Sequence, residues 1–199
     1  LTQPSIVREK SRFMEHFHDN IFGYSDSTYF DVLDDALKRF DSGSHFVEIG
    51  ALLGKSSAYM AVEIINSGKD IKFDVVDHWL GSSEHRDVQE LQNLDFFEEF
   101  TKNMKPVEGY YNAIRLSSFE AADLYQDGSL DFVMIDGDHS RTAVENDISK
   151  WLPKIKSGGL MAGDDYTDSG VREACENLLQ DNDVGQFSSW STKWFFNKG

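Results

Sequence analysis

Acidic side chains stand at the ends of four short apolar runs: Glu48 within Phe46-Val47-Glu48-Ile49, Asp77 after Val75-Val76, Asp136 after Val133-Met134-Ile135, and the pair Asp164-Asp165 after Leu160 to Gly163. Brought together, Asp136, Asp164 and Asp165 make an oxygen-rich, anionic site suited to a hard cation such as Mg2+. Without a cation, converging carboxylates repel and raise one another's pKa. A bound cation can coordinate an acceptor hydroxyl, acidify it and orient it. His139, three residues beyond Asp136, has the chemistry to take the released proton near neutral pH; its plainer role is a local hydrogen bond at a helix start. One aspartate at a strand end is commonly a turn former or a cap, so it is the set that points to a site.

Such a set needs strands whose tips share one rim. Residues 8–40 read as two helices, the second opened by Ser27 as a cap and carrying Phe30, Leu33, Leu37 and Phe40 on one face. From residue 45 the pattern alternates: strand 45–49, a helix through Ala58, Ala61, Val62 and Ile65, strand 71–76, a polar loop 78–88 and a helix 88–104. It continues with strand 112–116, a helix near 118–125, strand 130–135, and a helix through Val144, Ile148 and Trp151 that Pro153 ends. Gly158-Gly159 then turns into strand 160–163, and a helix over 169–180 precedes strands near 184–188 and 190–197. Alternation of this kind predicts one domain spanning 1–199: an N-terminal helical addition (1–42) and a Rossmann-like α/β core (43–199). That core is a doubly wound, seven-stranded, mostly parallel sheet with helices on both faces and an antiparallel last strand. Ligands of such sheets bind beyond the carboxyl ends of the strands, where these acidic residues lie.

The first turn, Glu48-Ile49-Gly50-Ala51-Leu52-Leu53-Gly54, has an E-x-G-x-x-x-G spacing. Its glycines let a ligand approach the backbone and let the helix pack closely. Ala51-Leu52 stands where a dinucleotide fingerprint needs its second glycine, so a cofactor without a pyrophosphate fits better. Asp77 is placed to accept hydrogen bonds from two ribose hydroxyls.

Three tracts, residues 46–54, Val75-Val76-Asp77 and Ile135-Asp136-Gly137-Asp138-His139, resemble successive motifs of the class I S-adenosylmethionine (SAM)-dependent methyltransferases, over about residues 44–197. The resemblance implies that Glu48, Gly50 and Gly54 line the methionine part of SAM, that Asp77 holds the ribose, and that Ser117, Ser118 and Phe119 lie near the adenine. Ala51, Ser56, His78 and Asp136 complete the implied cofactor contacts. The last tract, with Gly158 to Tyr166, is similar to the metal-dependent O-methyltransferases that act on macrolide sugars. That similarity implies Mg2+ on Asp136, Asp164 and Asp165, with His139 as base and Asp136 beside the reacting atoms.

Composition narrows the partners. The 35 acidic against 19 basic residues give a net charge of −16, which repels nucleic-acid backbones and anionic membranes. A small-molecule acceptor is the expected partner, and homo-oligomer formation is left open. No apolar run approaches membrane-spanning length and no leader is evident, so a cytoplasmic location is expected. Cys175, the sole cysteine, reads as a buried hydrophobe among Val171, Ala174, Leu178 and Leu179, and Trp79 as either core or ligand contact. His16 and His18, two apart, face away from each other if helical and make no metal site. The loop 78–90, the N-terminal helices and the Tyr166–Gly170 segment are candidate walls of the acceptor pocket. Three other readings stand beside this one: a metal-independent O- or N-methyltransferase, a non-catalytic SAM- or nucleotide-sensing domain, and, disfavoured by the first turn, a nicotinamide enzyme.

Overall fold

The computed structural model describes residues 13–82, 85, 87–180 and 184–199. Its centre is a seven-stranded sheet in the order β3-β2-β1-β4-β5-β7-β6. The strands are β1 (His45–Ile49), β2 (Lys72–Asp77), β3 (Asn112–Arg115), β4 (Leu130–Ile135), β5 (Ile155–Gly163), β6 (Gly185–Trp190) and β7 (Lys193–Lys198). β1 to β5 pair in parallel, while β7 runs antiparallel to both β5 and β6. The predicted α/β sheet with an antiparallel last strand is the one observed.

Alternate residues of each strand feed two cores, which is why the central strands read as continuous apolar runs. Phe46, Phe73, Val75, Phe132 and Met134 pack toward α1 (Ser27–Arg39), α2 (Lys55–Ser67) and α3 (Phe96–Asn103). Val47, Ile49, Val76, Val133 and Ile135 pack on the other face toward α4 (Ser118–Ala121), α5 (Arg141–Trp151) and α6 (Ser169–Leu178). Cys175 is fully buried there, and burial pushes its thiol up to about 12.

Several local expectations are corrected. Asp26, not Ser27, caps α1: its Oδ1 accepts from Tyr29 N at 3.0 Å. The expected helix over 88–104 is shorter, because Asn93 takes a positive φ of 61° and Asp95 then caps α3 by accepting from Glu98 N. Helix 118–125 tightens into a 3-10 turn after Ala121. β5 begins at Ile155, not after Gly158-Gly159, since the glycines fall where its register with β4 shifts. The first of the two N-terminal helices is expected partly on residues outside those described, and from residue 13 onward only a 3-10 turn, His18–Asn20, precedes α1. Because that segment is not helical, the rings of His16 and His18 approach to 5.1 Å, edge to face. They pack on Tyr59, and no metal-competent group of described residues includes them.

Candidate active site

The sheet register explains why the acidic residues meet. Ile49 lies beside both Val76 and Ile135, and Ile135 beside Gly163. The residue after each of these positions therefore emerges on one rim. The ladder continues past the strand ends: Gly50 N donates to Val76 O, Asp136 N to Ile49 O and Asp164 N to Ile135 O. A cavity of about 650 Å³ opens over this rim, within the usual size range of small-molecule sites.

Gly50 sets the depth of the turn. It has φ +87°, and a Cβ there would fall 1.9 Å from the Asp136 carbonyl oxygen. Asp77 braces the same turn: its Oδ2 accepts from Ala51 N (2.9 Å) and Leu52 N (3.1 Å), and its Oδ1 from Trp79 N (2.7 Å). A carboxylate has about four lone-pair positions, so Asp77 retains acceptor capacity toward the cavity while holding the loop. Trp79 is a core residue, 3% exposed, with its indole N–H donated to Leu52 O.

Of the residues expected to hold a cofactor, Gly50, Ala51, Ser56, Asp77, His78, Ser117, Ser118 and Asp136 line the cavity. Glu48 and Gly54 lie behind its wall. Glu48 points under α1 and α2, where it accepts from Tyr29 Oη (3.3 Å) and from Ser57 Oγ, and burial raises its carboxyl to about 7. Gly54, at φ +92°, opens α2, and a Cβ there would press on Phe100 and Met104. Ser117 is also the cap of α4, in a reciprocal capping box with Glu120.

Asp136, His139, Asp164 and Asp165 all reach the cavity. His139 Nε2 lies 3.1 Å from Asp165 Oδ2 and 3.7 Å from Asp136 Oδ1. One ligand atom from each of these three residues falls within 4.8 Å of the others. The two carboxylates at that spacing fit a divalent cation by donor chemistry, and the imidazole beside them has the chemistry of a base. Asp164 stands apart from that group. Its Oδ1 accepts from Lys193 Nζ (2.6 Å) and from Asp165 N (2.7 Å), an arrangement that holds Asp165 at a positive φ of 56°. Loss of water raises the Asp165 carboxyl to about 6 and also raises Asp136; His139 opposes both shifts. The position of His139 depends on α6, because Gly170 lets the helix start abut the His139 carbonyl and Arg141 N.

Lys193 is the member of this charged cluster that the sequence did not reveal. It is 1% exposed, and its ammonium also contacts Thr192 Oγ1 (2.7 Å) and approaches Asp26 Oδ1 (3.6 Å). In sequence it is one lysine of an alternating terminal strand, and only the antiparallel return of β7 beside β5 brings it to Asp164. The remaining walls come from unpatterned pieces: Phe22 to Ser25 before α1, Lys55, and Gly81, Ser82 and His85 of the loop after β2. Positions 83, 84 and 86 of that loop lie outside the described residues.

The strand order and the site at the carboxyl ends define the fold of SAM-dependent methyltransferases. The chain resembles a protein of Corynebacterium glutamicum with a TM-score of 0.65, 14% identity, and coverage of 89% of this chain and 83% of that one. It resembles a SAM-dependent O-methyltransferase of Thermotoga maritima equally well (TM-score 0.65, 13% identity, 89% and 67% covered). A Streptococcus mutans protein solved in complex with SAH follows (TM-score 0.63, 10% identity, 88% and 100% covered). No curated protein matches the sequence. A methyltransferase domain family matches residues 47–166, and the chain belongs to that family.

Proposed function

We propose that the protein transfers the methyl group of SAM to a hydroxyl oxygen of a small molecule, with a divalent cation, Mg2+, held at the acidic centre. The observation that carries this reading is the convergence of Asp136, Asp165 and His139 within 4.8 Å on the same rim as the Gly50 turn and Asp77. SAM supplies an electrophilic methyl on a sulfonium, and a cation lowers the pKa of a hydroxyl bound to it. The chain's own groups do the rest. The Gly50 turn admits the donor, Lys55 and Ser56 offer charge and a hydroxyl to its carboxylate, and Asp77 accepts from the ribose. Asp136 and Asp165, with Asp164 behind them, hold the cation. His139, beside both, takes the acceptor proton at Nε2. Fixing donor methyl and acceptor oxygen together lowers the entropic part of the barrier. The aromatic and hydroxyl groups of Phe22, Tyr24, Ser25 and Phe96 suit an acceptor with a flat or ring-shaped apolar part and hydroxyls, such as a natural-product or sugar hydroxyl.

Incubation with methyl-labelled SAM and a panel of hydroxylated small molecules tests this directly. Label on an acceptor oxygen, with stoichiometric S-adenosylhomocysteine, is the expected product; label on nitrogen, or none across the panel while SAM binds, contradicts it. One observation favours a second reading. Lys193 on Asp164 and His139 on Asp165 already pair two of the three carboxylates, which suits a metal-independent site with His139 as base. In that case chelation leaves the rate unchanged.

A further inference from the structure

The chain before α1 is strapped along one face of α2, in the opposite direction. Met14 and Asn66 form a reciprocal pair, Met14 N donating to Asn66 Oδ1 (2.8 Å) and Asn66 Nδ2 to Met14 O (2.9 Å). His16 Nε2 lies 2.7 Å from Glu63 Oε1, and its ring stacks on Tyr59 with centroids 4.6 Å apart. Gly23 then presses so closely on Lys55 that a Cβ there would stand 2.9 Å from the lysine Cβ. Positions 66, 63, 59 and 55 are three or four apart and so share one helix face. The strap ends at the cavity, where Phe22 to Ser25 stand in the wall with Lys55 and Ser56.

His18, midway along the strap, is 7% exposed. Its ring is enclosed by those of Phe30, Tyr59 and His16, at centroid distances of 4.7, 5.1 and 5.1 Å. Nε2 reaches toward the exposed Asp19 carboxylate at 3.4 Å. Nδ1 is buried and has no hydrogen-bond partner among the described residues. A charged imidazole is a donor at both nitrogens, and the second N–H would face rings that offer it no oxygen. The surroundings add little to offset this. Loss of water lowers the His18 pKa below its ordinary 6.5, and His16 and Lys55 push the same way against Asp19. Glu63 is engaged by His16, and Asp34 of α1 accepts from Tyr59 Oη at 3.0 Å, with Asp31 also near that hydroxyl.

We infer that His18 is a proton-sensitive latch: neutral, it holds residues 13–25 along α2 with Phe22 to Ser25 against the cavity; protonated, it leaves its ring cage and the strap lifts, taking that wall from the site. The sign follows from linkage. The strapped state binds the proton less well than the lifted one, so the strap is held above about pH 6.5 and loosens as pH falls below it. Burial of Glu48, Asp136 and Asp165 raises their carboxyls and so acts in the opposite sense, which separates the latch from them. Its effect on ligand binding rests on the proposed SAM site.

Hydrogen exchange of the ligand-free protein tests the latch. After correction for intrinsic rates, protection of the Met14, Asn20 and Ile21 amides, which donate to Asn66 Oδ1, Phe17 O and His18 O, is expected to fall by up to about tenfold from pH 7.5 to pH 5.5. His18→Phe, which fills the cage without gaining a proton, is expected to remove that dependence. Protection that is constant in the wild type, or that falls equally in both proteins, overturns the inference. So does an NMR titration of the wild-type His18 ring at or above pH 6.5, which needs no variant. By calorimetry, S-adenosylhomocysteine is expected to weaken more in the wild type than in His18→Phe over the same range, since the acids of the site titrate alike in both; identical weakening overturns the coupling to the site. A protein that binds no S-adenosylhomocysteine at any pH contradicts the proposed function, and the exchange result then decides the latch by itself.

Discussion

At the scale of single residues, the site is a balance of charges in a partly dry place. Asp164 and Lys193 are its structural half: the lysine is buried to 1% exposure and its ammonium is satisfied mainly by that carboxylate. Replacing Lys193 with Met leaves a carboxylate at the rim without its partner. The expected cost is about 3 kcal/mol, the usual penalty for breaking a buried pair, read from denaturant midpoints. Asp136 and Asp165 are the working half. Asp165→Asn is expected to reduce methyl transfer by about 100-fold or more while S-adenosylhomocysteine binding, measured by calorimetry, changes little. Parallel loss of both would place Asp165 in donor binding. The acidic members of this set were legible because strand-end position and residue type coincide. Lys193 was not, because nothing local separates a lysine that snorkels from one that is enclosed. Glu48 shows the opposite failure: its strand position was read correctly, but strand parity turns its side chain away from the cavity and under Tyr29.

At the scale of elements, the turn after β1 is the part on which the rest is hung. Gly50 combines a positive φ with a contact that forbids any side chain, because the Asp136 carbonyl occupies the space. Gly50→Ala is therefore expected to move the β1 and β4 tips apart, destabilise the fold by about 1–3 kcal/mol, and abolish S-adenosylhomocysteine binding. Gly68→Ala is the control: it has a positive φ of 68° but open space around it, so it should cost some stability and leave binding intact. Equal loss of binding in both proteins would show that the contact with Asp136 is not what matters. The strands and their order were legible, since continuous apolar runs bounded by glycine or aspartate have few alternatives. Helix limits were not. Asp26 and Asp95 outcompete the expected starts by side-chain caps, and caps are decided by backbone geometry that composition does not show. The N-terminal segment was legible as a candidate wall, but Phe22 to Ser25, which line the cavity, carry no periodicity that would single them out within it.

At the scale of the whole molecule, buried acids give stability a definite dependence on pH. Glu48 is raised from 4.5 to about 7, and Asp147 and Asp165 from 3.8 to about 6, each first by burial. Between those values the folded chain holds protons that the unfolded chain has released. Stability therefore falls as pH rises through this window. Acids held low by hydrogen bonds, such as Asp26 and Asp138, act in the opposite sense, and only in more acidic solution. The metal-free protein is expected to melt a few degrees higher at pH 5.5 than at pH 8, and Glu48→Gln should flatten the difference; a midpoint that rises across the window contradicts this assignment. A net charge of −16 makes the surface, on average, attract cations and repel anions. No helix among the described residues is long and apolar enough to cross a membrane. The central claim, that a cation held beside the methyl donor activates an acceptor hydroxyl, is tested most directly by timing labelled methyl transfer to an acceptor before and after thorough chelation, and again after Mg2+ is restored. A rate lost on chelation and regained with the metal is the expected result; transfer that continues undiminished without metal rules the cation out of the chemistry.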